Sequence, residues 1–430
     1  MALKILVTGD IHIGKKSSST PENTPISATK TTWLKLVDYA IQNKIDAVAL
    51  TGDVVDQNNR YFEAIGPLQS GFERLLKANI EVFMVSGNHD YKVLSQLVDN
   101  EKYPNIHLLG KGGTWEMKTF EKGSDKLQFV GWSFPSNHFH DSPLLSFNLP
   151  ALNKAIPSIG LLHGDVDVPD SRYAPINSNQ FLNLPVNAWM LGHIHKPQII
   201  NNAEPLVLYP GSPHALSAKE TGAHGPVLLT IQSPTSIEKT NISLSPVRYE
   251  SVDIDLSDLN TQEWVRNKVT QTLIDFAENM VDELEHVAFL IFDIHLIGRN
   301  SNIEQAINWV RPIIDDFSNE VSTTETLCTV RKVKNFLKSK VDNLEELAKV
   351  ASPTGVLAQT ILALEKGEST AFADQLLEKW EQKQEQIRQL PVYQPIQQSE
   401  RFDIENHENR TSFLMNECNK ILTELIEQQK

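Results

Sequence analysis

At 430 residues the chain is too long for one compact core, so two or three domains are expected. Its composition, 40% hydrophobic and 22% charged, is typical of a soluble globular protein, and its two cysteines, Cys328 and Cys418, exclude a disulfide framework and indicate a reducing, cytoplasmic compartment. The net charge of −15 is concentrated in the second part of the chain: residues 246–430 contain 19 basic and 32 acidic residues, whereas residues 1–245 contain 20 and 22. The acidity of residues 246–430 favours a protein partner over a phosphate backbone.

The amino terminus runs directly into a candidate metal motif, so we do not expect a signal peptide. The longest apolar segment, Val287–Ile297, contains Asp293 and His295 and is too short to span a bilayer. We therefore expect a soluble protein.

Short β-branched runs alternate with amphipathic patterns over the first 230 or so residues. We predict helices at Thr31–Asn43 and Gly66–Ala78 and a long loop at Lys15–Lys30. The predicted strands are Lys4–Thr8, Ala47–Leu50, Val82–Val85, Leu127–Trp132, Ile159–Leu162, Trp189–Leu191, Leu206–Tyr209 and Val227–Ile231. This alternation is typical of a layered α/β domain, which we place at residues 1–245.

The pattern changes near Ser245, and two strands alternate with two helices over residues 246–320. They are predicted at Ser251–Leu256 (strand), Thr261–Asp282 (helix), His286–Gly298 (strand) and Ile303–Asp316 (helix), which indicates a small α+β domain. Beyond Val321 the pattern is helical, so residues 321–430 are predicted to be a helical C-terminal region, with a linker or frayed helix end at Gln382–Gln398.

One apolar stripe is evident in the last predicted helix. Leu414, Cys418, Ile421 and Leu425 recur at helical spacing. The stripe either packs within this chain or docks on a partner.

Five polar segments each follow a predicted strand in the first domain. They are Asp10-Ile-His12, Gly52-Asp53-Val-Val-Asp56, Gly87-Asn88-His89-Asp90, His163-Gly164 and Gly192-His193-Ile-His195. Side chains at the carboxyl ends of neighbouring strands converge on one rim of a sheet, where α/β folds place their sites. A single His-x-His or Gly-Asp pair is more often structural, but five such segments in succession predict one shared site.

The groups in these segments are carboxylates, imidazoles and one amide. That mixture suits manganese, iron or zinc and does not suit a thiolate site. A carboxylate able to bridge, together with several other ligands, is what two closely spaced metal ions require, and such a pair supports phosphate ester hydrolysis. The sequence therefore predicts a two-metal phosphoesterase.

The same series of segments resembles the calcineurin-like metallophosphoesterase superfamily, and within it the nuclease subunits of bacterial SbcCD complexes and their double-strand-break repair relatives. Four further segments carry this narrower resemblance: Gly160–Gly164, Gly192–Pro197, Tyr209–Pro213 and Glu220–Gly222. It is strong over residues 1–231, looser over 250–320 and has no specific motif after that. It implies a four-layer sandwich of two central β-sheets flanked by helices, a small α+β cap and a helical C-terminal region.

The resemblance implies two divalent ions, most readily Mn²⁺, with Fe²⁺ or Zn²⁺ as alternatives. The first ion would be bound by Asp10, His12, Asp53 and His195, and the second by Asp53, Asn88, His163 and His193. His89 would contact the phosphate and protonate the leaving oxygen, with Asp90 orienting it. Asp56 would act near His89 or simply cap a turn.

The activity implied is that of a DNA exo/endonuclease that works as a homodimer with an SMC-like coiled-coil ATPase, residues 250–320 presenting DNA to the metals. The main alternative is a small-molecule or nucleotide phosphodiesterase. A protein phosphatase is disfavoured, because that branch has Arg-Gly where this chain has Gln57-Asn58 and Glu where it has Asp90. A non-catalytic scaffold is disfavoured because every expected ligand is present.

The remaining polar residues lie outside or beside these segments. His138 and His140 are read as surface residues. Lys196 and His214 would touch phosphate or lie on a solvated rim, and Tyr91 would stack on a base or pack internally. The basic run Arg331–Lys340 would contact DNA or form a solvated helix face.

Overall fold

The computed structural model describes residues 2–21, 24–56, 61–98, 102–149, 152–321, 326–339, 344–388 and 407–428. The chain forms two compact units. The first comprises residues 1–251, 276–293 and 317–332, and the second comprises residues 252–275, 294–316 and 333–430.

The first unit contains a six-stranded sheet that begins with the amino-terminal strand. In chain order its strands are β1 (Leu3–Thr8), β2 (Ala47–Leu50), β3 (Glu81–Met84), β4 (Ile106–Leu108), β11 (Val227–Ser233) and β12 (Ser236–Asn241). The spatial order is β12-β11-β1-β2-β3-β4. Strands β1 to β4 are parallel, while β11 and β12 add an antiparallel edge.

A second six-stranded sheet lies in the same unit. Its strands are β5 (Trp115–Lys122), β6 (Asp125–Trp132), β7 (Ser158–His163), β8 (Ala188–Gly192), β9 (Gln198–Asn201) and β10 (Leu206–Tyr209). The spatial order is β5-β6-β7-β8-β10-β9, with parallel pairing from β6 to β10 and antiparallel edges.

The period of two along each strand explains how the sheets pack. In β1, Leu3, Ile5 and Val7 face a core shared with the second sheet, whereas Leu6 faces the helices α1 (Thr29–Gln42) and α2 (Tyr61–Lys77). The outer face of the second sheet is covered by loops and by short 3₁₀ helices at Pro143–Ser146 and Ser178–Asn183. The prediction of two central sheets flanked by helices is confirmed.

The region after residue 246 begins with a three-stranded sheet. Its strands are β13 (Val247–Asp255), β14 (Phe289–Ile297) and β16 (Leu327–Asn335), with β14 in the middle. The helices are α4 (Gln262–Asn279) and α5 (Ile303–Val321), and Arg299–Asn300 (β15) pairs with Lys338–Ser339 (β17). A short α3 (Leu94–Leu97) belongs to the first unit.

The prediction that everything beyond Val321 is helical is wrong for Leu327–Asn335. This segment contains the β-branched residues Thr329, Val330 and Val333, which favour a strand, and it pairs as an edge strand beside β14. The basic run therefore does not form a helix face, and Arg331 makes an ion pair with Asp293 of β14. Lys340 lies outside the described residues.

Helices do follow from residue 344 onward, as predicted. They are α6 (Leu344–Leu347), α7 (Pro353–Glu365), α8 (Ala371–Arg388) and α9 (His407–Glu427). Residues 382–388 of the predicted linker are the end of α8, and the remainder, 389–398, is outside the described residues. Across the described part of the chain, none of the helices has the length and hydrophobicity that a bilayer-spanning segment requires.

The apolar stripe of α9 packs within the second unit. Leu414 and Cys418 are buried, Leu425 is partly buried, and all three join a cluster with Leu357 and Ile361 of α7. Ile421, by contrast, is 46% exposed, and its neighbour Leu422 is fully buried in its place.

Candidate metal centre

The predicted ligands lie at the carboxyl ends of five parallel strands. Asp10 and His12 follow β1, Asp53 follows β2, Asn88 follows β3, His163 ends β7, and His193 and His195 follow β8. All seven come together at one rim shared by the two sheets. The convergence predicted from the sequence is therefore present.

Several ligand-bearing residues have a backbone conformation that L-residues rarely adopt. The φ angles are 51° at Asp10, 47° at His12, 49° at Asp53 and 100° at His193. Hydrogen bonds hold this backbone: the Asp10 amide donates to Gly52 O and the His12 amide to Asp53 O, both at 3.0 Å. Strain retained at four ligands indicates that the site geometry constrains them.

Two glycines of the motifs are required for close approach of the loops. A Cβ on Gly87 would lie 2.1 Å from Asp53 Oδ1, and a Cβ on Gly192 would lie 2.1 Å from the Thr51 carbonyl oxygen. Both distances are impossible for real atoms, so a side chain at either place would push the loops apart.

The ligand atoms form two neighbouring clusters with Asp53 beside both. In the first, Asp10, His12 and His195 converge, and the Nε2 atoms of His12 and His195 are 3.1 Å apart. In the second, His163 Nε2 lies 3.0 Å from Asn88 Oδ1 and 3.5 Å from Asp53 Oδ2. His193 belongs to the second cluster as well.

Asp53 reaches towards the first cluster too, with Oδ2 3.9 Å from His12 Nε2. A carboxylate between two groups of imidazoles is the position that a bridging ligand occupies. Two Nε2 atoms 3.1 Å apart can share a proton in a hydrogen bond, and without that proton both lone pairs can face one cation, since metal–nitrogen bonds of about 2.1 Å suit this separation. The residues therefore fit a pair of divalent ions.

The electrostatics of the buried centre point the same way. Burial opposes ionisation of Asp53, but His163 and the other imidazoles outweigh it and hold the pKa of Asp53 well below its usual range. Burial likewise opposes the charge on His163, but Asp53 raises the pKa of His163 to about 9. This carboxylate thus stabilises positive charge beside it.

Asp56, and not Asp90, faces His89. Asp56 Oδ1 lies 3.4 Å from His89 Nδ1 and 3.5 Å from His12 Nδ1, and Lys15 Nζ lies 3.0 Å from the same oxygen. The Asp56 carboxylate raises the pKa of His89. Burial opposes ionisation of Asp56, but the neighbouring His12, His89 and Lys15 outweigh it and lower the pKa of Asp56.

The expectation that Asp90 orients His89 is wrong. The Asp90 carboxylate is fully buried and accepts hydrogen bonds from the backbone amides of Val54, Val55 and Gly87. It joins the loop after β2 to the loop after β3. Three backbone donors satisfy the carboxylate, which explains why it does not turn towards the imidazole.

Besides Lys15, three residues beside the centre were not predicted as part of it. Glu220 Oε1 lies 3.1 Å from His195 Nδ1, and Asp165 Oδ1 lies 3.4 Å from His193 Nε2. The ring of Tyr173 packs 4.8 Å from that of His193. Of these three, only Glu220 had a signal in the sequence, because it begins the segment Glu220–Gly222. That segment contributed to the family resemblance, but no function was assigned to it.

The lower-ranked residues lie as follows. His138, His140 and Lys196 are exposed, and Tyr91 packs partly buried against an apolar cluster. His214 contradicts both readings given to it, because it is fully buried. Its Nδ1 lies 2.7 Å from Thr32 Oγ1 of α1 and its Nε2 lies 2.8 Å from Ser17 Oγ in the loop after β1, so it joins both to the segment after β10.

The first part of the chain is similar to known proteins. Residues 3–197 match the family described as calcineurin-like phosphoesterase. The chain is similar to the uncharacterized metallophosphoesterase YhaO of Bacillus subtilis (strain 168), with 29% identity over 198 residues, which are 46% of this chain and 48% of that protein. It is also similar to the DNA double-strand break repair protein Mre11 of Methanosarcina mazei, with 26% identity over 235 residues, 53% of this chain and 36% of that protein. The matches span less than half of either relative.

Some solved structures are similar to part of this chain although their sequence identity to it is low. Protein TT1561 of Thermus thermophilus is 14% identical with a TM-score of 0.35, and a dimetal phosphatase from Danio rerio is 12% identical with a TM-score of 0.34. Each match covers 56% of this chain and 99% of the other.

Proposed function

We propose, from the match of residues 3–197 to the calcineurin-like phosphoesterase family, that the protein is a metal-dependent nuclease that hydrolyses phosphodiester bonds in DNA. The observation that carries the proposal is the pair of ligand clusters on either side of Asp53. Mn²⁺ is the metal we expect, with Fe²⁺ or Zn²⁺ as alternatives, because the donors are oxygens and imidazole nitrogens.

The residues divide into two sets around the shared carboxylate. Asp10, His12 and His195 would hold one ion, Asn88, His163 and His193 the other, and Asp53 both. When bound, such a pair activates a water molecule and neutralises charge on the phosphate in the transition state.

His89 is suited to act on the leaving group. Its side chain is 29% exposed, whereas that of Asp53 beside it is 3% exposed, so the imidazole can reach a substrate from the edge of the centre. With Nδ1 facing Asp56, Nε2 is left to donate a proton to the leaving oxygen. Asp56 is therefore the residue that orients the acid.

DNA is the substrate we favour for two reasons. One relative is named a DNA double-strand break repair protein, and the segments Tyr209–Pro213 and Glu220–Gly222 resemble those of repair nucleases. By the same resemblance we propose a homodimer, an SMC-like coiled-coil ATPase as partner, and residues 246–320 as the part that presents DNA.

The test compares substrates on one preparation of the full chain. Purified protein is loaded with Mn²⁺ and given linear duplex DNA and, separately, a cyclic nucleotide, with Asp53→Ala as the inactive control. We expect cleavage of DNA that depends on metal and is lost in the variant. Hydrolysis of the cyclic nucleotide without cleavage of DNA would replace this proposal by a small-molecule phosphodiesterase, since the same metal core serves many substrates.

A further inference from the structure

We propose that Glu220 is a positioning residue, which orients His195 and thereby sets the affinity of one of the two metal ions without binding that ion itself. The inference rests on the metal centre of the proposed function and adds a residue that the sequence marked only as part of Glu220–Gly222. It concerns metal binding and does not depend on the substrate.

The contact determines which nitrogen of His195 is available to a metal. Glu220 Oε1 lies 3.1 Å from Nδ1, and an ionised carboxylate can only accept a hydrogen bond, so Nδ1 carries the proton. Nε2 then carries the lone pair and points towards His12 Nε2 at 3.1 Å. The glutamate thus keeps His195 in the tautomer that can bind a cation at the first cluster.

Glu220 is itself held in place by its own loop. Its second oxygen, Oε2, accepts a hydrogen bond of 2.7 Å from the Leu216 amide, and its amide donates to Ser217 O at 2.9 Å. The residue is only 9% exposed. Because hydrogen bonds within its own loop hold both the side chain and the backbone of Glu220, its carboxylate has a fixed position beside His195.

The other imidazoles of the centre have different supports, which makes the effect specific to one ion. His163 Nδ1 lies 3.0 Å from the Thr51 carbonyl oxygen, and His193 Nε2 lies 3.4 Å from Asp165 Oδ1. Glu220 contacts neither ring in the described structure. Asp165 is therefore the matched comparison, because it is a buried carboxylate beside a ligand of the second cluster.

The experiment measures Mn²⁺ binding to the full chain by titration calorimetry, with metal content checked by elemental analysis. For Glu220→Ala we expect one of the two equivalents to bind roughly 10- to 100-fold more weakly and the other to bind as in the wild type. Glu220→Gln should keep most of the affinity, because its amide oxygen can still accept from Nδ1. Asp165→Ala should leave the equivalent that Glu220→Ala weakens unchanged.

Two controls separate positioning from a general structural role. Unfolding temperatures in EDTA should be similar for the wild type and Glu220→Gln. In a His195→Asn background, Glu220→Ala should cause little further loss of affinity, because the two residues act through one contact.

The inference is overturned if Glu220→Ala binds both equivalents as the wild type does, or if it weakens both equally and adds to His195→Asn. Wild-type protein that binds no metal would overturn this inference and the proposed function together. Protein that binds two ions but leaves DNA intact would overturn only the proposed function.

Discussion

At the scale of single residues, the centre depends on a few side chains whose neighbours differ. Asp53 is buried among imidazoles, whereas His89 is partly exposed and groups with His12 and Asp56 beside the two clusters of predicted ligands. Because their environments differ, the two residues are expected to have different functions although they lie close together. Substitutions at the two positions should therefore have distinguishable effects.

Asp53→Ala and His89→Ala are expected to separate metal binding from catalysis. Without Asp53 the clusters lose the carboxylate between them, so metal content and activity should both be lost. Without His89 metal content should stay near the wild-type value, while cleavage should fall by roughly 10²- to 10⁴-fold, the usual contribution of a general acid. Elemental analysis beside a nuclease assay measures both; loss of metal from His89→Ala would refute the role assigned to His89.

His214 should make stability depend on pH. Burial lowers its pKa to about 4 from an ordinary value of 6.5. As the pH falls below about 6.5, the unfolded chain takes up a proton that the folded chain excludes, so the free energy of unfolding decreases with falling pH, by about 1 kcal/mol at about pH 5.5.

Urea denaturation at about pH 7.5 and about pH 5.5 tests this linkage. The loss of stability between the two should be smaller in His214→Asn than in the wild type. His140→Asn is the control, since His140 is exposed and its substitution should leave the wild-type dependence in place. An unchanged dependence in His214→Asn would contradict the expectation.

At the scale of elements, the rotation of α9 about its own axis determines which of two adjacent side chains is buried and stabilises the helical region. Leu422 is fully buried against the cluster formed with α7, while Ile421 is 46% exposed. The apolar stripe predicted from the sequence contained Ile421 and not Leu422, because spacings of three and four residues both fit a helix.

Leu422→Ala should therefore destabilise the second unit by roughly 2–5 kcal/mol, the usual cost of a cavity at a buried leucine. Ile421→Ala removes a side chain of similar size from the same helix turn and should change the free energy of unfolding by about 0.5 kcal/mol or less. Chemical denaturation followed by circular dichroism measures both. Equal losses in the two variants would show that α9 packs through another face.

At the scale of the whole molecule, the ligands come from loops far apart in the chain, from Asp10 to His195. Ions bound to all of them would stabilise the folded state, because the unfolded chain does not hold these groups together. Metal at about 100 times its dissociation constant would contribute about 2.7 kcal/mol.

Removal of metal with EDTA should lower the unfolding temperature of the wild type, and Mn²⁺ should restore it. Asp53→Ala should show no such shift. Differential scanning calorimetry makes the comparison. A wild-type transition that is the same with Mn²⁺ and with EDTA would argue against metal binding in the folded protein.

The sequence by itself determined the α/β class of the first domain, the positions of its ligands at strand ends and the chemistry of the donors. These follow from local signals: a period of two along each strand and polar residues directly after it. The same local signals failed at Leu327–Asn335, where a mixture of basic and apolar residues without a clear period does not distinguish an edge strand from a helix until a partner strand is known.

Only the tertiary structure decided which groups face each other. It placed Asp56 and not Asp90 beside His89, brought Glu220 to His195, and buried His214 and Leu422. Each of these depends on contacts between residues well separated in the chain and on which side of a loop or helix turns inward. Such contacts are set by packing at the scale of an ångström, which sequence periodicity does not record.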